Sequence, residues 1–239
     1  MTCLNCGNEF EGRFCNECGQ KASVKTITIK SIFSEAFRII TNTDRGLFYN
    51  FINLTIRPKT VVADYISGKR KPFFAPVQYA ILGVTMLTLL DHYYGTGVKV
   101  LGDAARDIEM MTDTSPYKIG MGFGKVLKSN LKFALLLNIF FFAVPARLFN
   151  RRYNFAEHLA IQAIILGHAA FVTIIFFPVV HLTILANPVF YIAVFLMNFF
   201  IFYRKKEIFE GLLGAFFTVV LGMALFLLIP MLFYFLFIT

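Results

Sequence analysis

Residues 57–79 read RPKTVVADYISGKRKPFFAPVQY, and the organisation of the chain turns on this stretch. Pro58 suits the first turn of a helix and Gly68 suits its end. Between them Val61, Val62, Tyr65 and Ile66 form one apolar face. Lys69, Arg70 and Lys71 then stand at the negative end of that helix's dipole, directly before the first long apolar run. A cationic cluster set against an apolar run marks the edge of a membrane, where it meets anionic lipid. The same three side chains are therefore candidate lipid-headgroup contacts.

Working outward, the chain after this point becomes lipid-compatible. The 239 residues are 57% hydrophobic and only 15% charged, whereas soluble domains carry about 25% charged residues. The mean hydropathy is +0.66. The net charge of +9 would suggest nucleic acid in a soluble protein. Here the basic residues flank apolar runs, so they orient spans, and no nucleic-acid partner is expected.

The apolar runs predict five transmembrane helices, at about 74–90, 131–149, 157–177, 188–203 and 212–237, in an all-α integral membrane protein. Pro145, Pro178 and Pro230 are tolerable there because neighbouring helices satisfy the freed carbonyls. The N-terminal region and the segments at 147–152 and 204–206 are strongly basic, which puts them on the cytoplasmic side. The segment at 95–129 has nearly balanced charge and reads as an outside loop or short surface helix. The expected topology is N-terminus in and C-terminus out, in a bacterial cytoplasmic membrane. Residues 1–22 lack an apolar leader core, so the first span is expected to act as the signal anchor.

Before residue 57 the chain is soluble in character. Residues 1–22 hold Cys3 and Cys6, then Cys15 and Cys18: two C-x2-C pairs eight residues apart. Each pair puts two thiolates on a tight turn, and Gly7 and Gly19 let the backbone fold behind the sulfurs. Four sulfurs make a closed tetrahedral site, a zinc ribbon, with structural Zn²⁺ as the expected ion. An iron site uses the same ligands. So short a module has almost no core, and the metal supplies most of its folding energy. Phe10 and Phe14 are the expected apolar plug. Residues 23–72 then form a basic, amphipathic, membrane-proximal region. Within it 31–40 and 46–56 show helical apolar spacing but are too short to span, and are expected to lie on the membrane surface.

Three stretches resemble one family. CLNCGNEFEGRFCNECGQKA carries Phe14 before its second cysteine pair and Gly19-Gln20-Lys21 after it. TDRGLFYNFINLTIRPKTVVADYISGKRKPFFAPVQY carries the proline, the Tyr-Ile-x-Gly-Lys-Arg run and a following proline. RRYNFAEHLAIQAIILGHAAF opens a span with Tyr-Asn-x-x-Glu-His. In these the chain is similar to the DUF3667 family, bacterial membrane proteins of unknown function. It departs from the family pattern at Lys59, where glycine is common after the proline. The resemblance implies a fold and a location, and no activity.

Few side chains offer chemistry. Glu157 and His158 open the third predicted span, and His168 lies deeper in it. Glu157 and His168 share a helix face but stand about 16 Å apart, too far to hold one metal alone. His168 is an ionisable group at membrane depth and so a functional candidate. The competing reading is a neutral histidine hydrogen-bonded to Asn138, Gln162 or Asn198. Asp44 and Asp64 read as cap or surface residues. No Ser-His-Asp spacing, H-E-x-x-H or phosphate loop occurs, so catalytic residues are not assigned.

The leading functional expectation is a scaffold or adaptor whose cytosolic ribbon docks a protein partner, with membrane lipids around the spans and room for a homo-oligomer. The alternative is a small-molecule or lipid transporter with His168, Asn138, Gln162 and Asn198 along a path. An enzyme acting on lipid through Glu157 and His158 ranks last, for want of a nucleophile or an open metal.

Overall fold

The computed structural model describes residues 1–23, 28, 47–71, 73–94, 115–180, 182–203 and 207–237. The predicted helix at 31–40, His181 and the basic cluster at 204–206 lie outside them. The described chain is a small cysteine head followed by helices. Apart from two isolated bridges, Thr2 with Glu9 and Phe14 with Lys21, no strand occurs among the described residues.

The helices are α1 (Leu47–Ile56), α2 (Pro58–Ser67), α3 (Pro76–Tyr94), α4 (Ser115–Ser129), α5 (Leu131–Phe149), α6 (Phe155–Phe176), α7 (Pro188–Phe202) and α8 (Ile208–Phe237). Three of them, α5, α6 and α8, are long and apolar enough to cross a membrane. That is fewer than the five spans expected. At 15 residues, α7 rises only about 22 Å against a hydrocarbon core of about 30 Å. α3 has the length, but Gln78, Thr85, Thr88 and Asp91 dilute its apolar run.

The hub is α6. Of its membrane-length window 72% is buried, against 39% for α5 and 28% for α8. It starts cleanly because Asn154 and Glu157 form a capping box: Glu157 N–H donates to Asn154 Oδ1 at 2.9 Å, and Asn154 N–H donates to Glu157 Oε2 at 2.7 Å. Each bond satisfies an amide that the first helical turn would leave orphaned.

Helix α3 crosses α6 at backbone contact. A β-carbon on Gly167 would stand 2.9 Å from the Ala80 Cα, and one on Gly83 would stand 2.7 Å from the Gly167 carbonyl oxygen. Small residues permit such a crossing where lipid supplies no hydrophobic drive between helices. Ala80 meets Gly167 and Gly83 meets Ala170, so the two helices run in the same direction.

Helices α1 and α2 each bury one face against this bundle. α1 buries Asn50 and Leu54 and exposes Phe48, Ile52 and Ile56, which recur every fourth residue. α2 buries Val61, Val62 and Tyr65, with Tyr65 against Ala156 and Ala160 at the start of α6. The Lys59 ammonium donates to the Tyr203 carbonyl and lies 4.9 Å from that residue's ring centroid. A cation at a helix C-terminus is favoured by the dipole, so this contact ties α2 to the end of α7. The stretch read as an outside loop or surface helix contains α4 over its second half; residues 95–114 are outside the description.

Candidate metal centre and buried polar sites

The cysteine head is two copies of one turn. In the first, Cys3 N–H donates to Asn8 O at 2.9 Å and Gly7 N–H to Cys3 O at 2.9 Å. In the second, Cys15 N–H donates to Gln20 O and Gly19 N–H to Cys15 O, both at 2.8 Å. Gly7 and Gly19 have φ of 77° and 67°, the left-handed conformation that only glycine adopts at little cost.

The turns face each other. All four Sγ atoms lie within 4.8 Å of one another, with Cys3 to Cys18 at 3.6 Å and Cys6 to Cys15 at 3.7 Å. Tetrahedral bonds of about 2.3 Å to one ion require sulfur–sulfur edges of about 3.8 Å. The geometry therefore fits a four-cysteine metal site. The electrostatics agree. The Cys18 amide donates to Cys15 and, with the Glu17 amide and neighbouring thiols, outweighs burial and lowers its pKa to about 6. At Cys6 the Asn8 amide favours the thiolate, but burial and the three other sulfurs push the pKa up to about 12. Four adjacent thiolates cannot all ionise without a cation between them.

Phe10 is buried with Cys3 and Cys15, as the sequence suggested. Phe14 is not: it is 59% exposed. It precedes the inward-facing Cys15 in an extended stretch, where successive side chains take opposite faces.

The head is attached to the bundle. Gln20 is buried, and its Nε2 donates to the Gly68 carbonyl at 2.9 Å. Gly68 ends α2 with φ 113°, and Lys69 N–H donates back to Asp64 O at 2.9 Å. The Lys69 ammonium pairs with Asp64 Oδ1 at 3.2 Å, half-exposed, a contact worth about 0–1 kcal/mol. The Arg70 guanidinium lies 5.6 Å from the Tyr65 ring centroid. Lys71 lies beside Gly19 of the head.

The polar residues of the bundle fall into separate groups. His168 does not bond Asn138, Gln162 or Asn198. Its Nδ1 stands 3.2 Å from the Tyr79 hydroxyl and its Nε2 3.4 Å from Thr55 Oγ1. Thr55 already gives its one hydroxyl proton to Phe51 O at 2.9 Å. His168 Nε2–H therefore donates to Thr55, and the bare Nδ1 accepts from Tyr79. The α3–α6 crossing places Tyr79 within reach, one residue from the contact at Gly167. Phe51 packs on the imidazole with centroids 4.9 Å apart.

Gln162 instead donates to Asn198 Oδ1 at 2.9 Å across α6 and α7, and Asn198 donates to Val194 O at 2.9 Å. His158 donates from Nε2 to Asn150 O at 2.8 Å and stacks on Phe202. Glu157 is occupied in the capping box. Among the described residues the buried acceptors Gln162 Oε1, His158 Nδ1 and Asn138 Oδ1 have no hydrogen-bond partner.

Sequence reasoning missed Gln20, Thr55 and Tyr79. The glycines and alanines of α3 and α6 were the available signal, because small residues inside apolar helices mark where another helix passes close.

Together these features define a helical membrane protein with a possible four-cysteine metal site on its N-terminal head. Residues 44–88 match the family described as "Protein of unknown function (DUF3667)", so the resemblance to that family is shown over α1, α2 and the first part of α3. No curated protein and no solved structure matches the chain.

Proposed function

We propose that the chain is a scaffold of the bacterial cytoplasmic membrane whose zinc-loaded ribbon docks a cytosolic protein. The observation that carries this reading is the closed four-sulfur cluster on a head whose apolar Leu4 and Phe14 face outward, 52% and 59% exposed. Four protein ligands leave no coordination position for water or substrate, so the ion is structural. Exposed apolar side chains on a rigid polar module suit a protein contact.

Five crossings, with the head inside, are the topology we favour. The same-direction run of α3 and α6 supports a single crossing between them, at α5. Lys59, Lys69, Arg70, Lys71, Arg151 and Arg152 gather at the head's end of the bundle, in line with the cytoplasmic bias of basic residues. The half-exposed Lys69 supports a lipid-headgroup role for that cluster.

The test is gentle purification of wild type, Leu4→Ser/Phe14→Ser and Cys15→Ser/Cys18→Ser, with metal analysis and identification of every copurifying protein. A partner held by wild type and lost from both variants, the first still metal-loaded, is the expected result. Identical protein complements in all three would overturn the docking reading.

A further inference from the structure

The head's attachment to the bundle passes through the turn of the metal site itself. Gln20 contributes twice. Its main-chain carbonyl accepts from Cys15 N–H at 2.8 Å, closing the second cysteine turn. Its side chain, 5% exposed, donates to Gly68 O at 2.9 Å, across 48 residues of chain. Gly68 O also accepts from Arg70 N–H at 2.9 Å, so one carbonyl joins the head, the end of α2 and the start of the basic turn. Next to this bond the Lys71 ammonium lies over Gly19, 3.6 Å from where a β-carbon would stand. Gly19 thus closes the cysteine turn with its φ of 67° and stands in the space next to the lysine.

We propose that metal loading locks the head onto the basic turn at residues 68–71, with Lys71 as the outer charge partner of the four-sulfur site. Four thiolates around a divalent ion carry a net charge of about −2. An ammonium over Gly19, the residue after Cys18, offsets part of that charge, and groups around a metal site tune its affinity by about 10–100-fold. Gln20 supplies the directional half of the contact and Lys71 the electrostatic half. Without the ion the second turn is no longer held, so the Gln20 amide is no longer fixed over Gly68. The ion then controls how firmly the Lys69–Arg70 turn is ordered at the membrane edge.

The inference rests on the metal reading of the four cysteines, and the experiment separates the two. Full-length protein in lipid nanodiscs is assayed for bound metal. Amide hydrogen exchange is then followed before and after chelation, in wild type, Gln20→Ala and Lys71→Gln. Chelation and Gln20→Ala should each speed exchange at Lys69 and Arg70 by about tenfold, the loss of one buried hydrogen bond, with α6 unchanged. Lys71→Gln should release metal to a competing chelator several-fold more readily, and Lys71→Arg should restore retention. Exchange at Lys69 and Arg70 that ignores both chelation and Gln20→Ala overturns the lock, even with metal present in the wild type. Absence of any bound metal in protein purified without chelators overturns the metal reading, and the lock with it.

Discussion

The cysteine head and the helical bundle both assemble polar side chains in a confined space, but over different spans of chain. In the head, Cys3 and Cys18 are 15 positions apart, and two short glycine-closed turns bring the sulfurs together. In the bundle, Thr55 and His168 are 113 positions apart, and they meet only because α1 and α3 pack on α6. The head has a core of Cys3, Phe10 and Cys15 with little around it, so a cation held by the four sulfurs would carry much of its stability. The bundle buries a continuous apolar core drawn from α1, α2, α3, α5, α6 and α7 and can hold unpaired acceptors such as Gln162 Oε1. Local turn geometry builds one region; close-packed surface builds the other.

The comparison breaks most sharply on metal removal. Structural zinc contributes about 10–16 kcal/mol of apparent binding energy to modules of this size. Chelation, or Cys15→Ser, should therefore leave residues 1–22 open to protease while the helical circular dichroism of the bundle stays unchanged. Loss of bundle helicity in the same sample would mean that the two regions fold as one. Next in size is the α3–α6 crossing. Gly167→Leu forces a side chain into the Ala80 backbone and should cost about 1–3 kcal/mol or more, read as a lower unfolding midpoint in detergent. The metal content of the head should not change.

A smaller effect is expected at Gln162 and Asn198. Hydrogen bonds between membrane helices average about 0.6 kcal/mol and reach about 1.7. Gln162→Leu should fall in that range, and the double variant Gln162→Leu/Asn198→Leu should cost less than the sum of the two single ones. Additive costs would show that the 2.9 Å bond adds nothing to stability. Smallest of all is Phe14→Ser. An exposed substitution changes stability by about 0.5 kcal/mol or less, and metal retention should match wild type, whereas Phe10→Ala should weaken it.

Much of the fold was legible along the chain. The expected segment at 131–149 coincides with α5, and that at 157–177 nearly so with α6, because long apolar runs bounded by basic or capping residues have few alternatives. The helix ended by Gly68 was equally plain. Less legible were the spans at α3 and α7. An apolar run shows that a segment avoids water, while its helical length and dilution by polar side chains decide whether it reaches across a bilayer. The outward turn of Phe14 was also missed, because composition cannot tell which face of a short extended segment a ring takes.

By itself the sequence determined where apolar and cationic residues fall, and therefore that helices in lipid follow a small cysteine module. It also determined the four-cysteine cluster, because C-x2-C spacing and the following glycines act within one turn of backbone. Only the tertiary structure decided that His168 meets Tyr79 and Thr55 rather than Asn198, and that Gln20 reaches Gly68. Those pairings depend on which helices cross and how closely, and a missing side chain at Gly167 sets that distance through contacts remote in the chain.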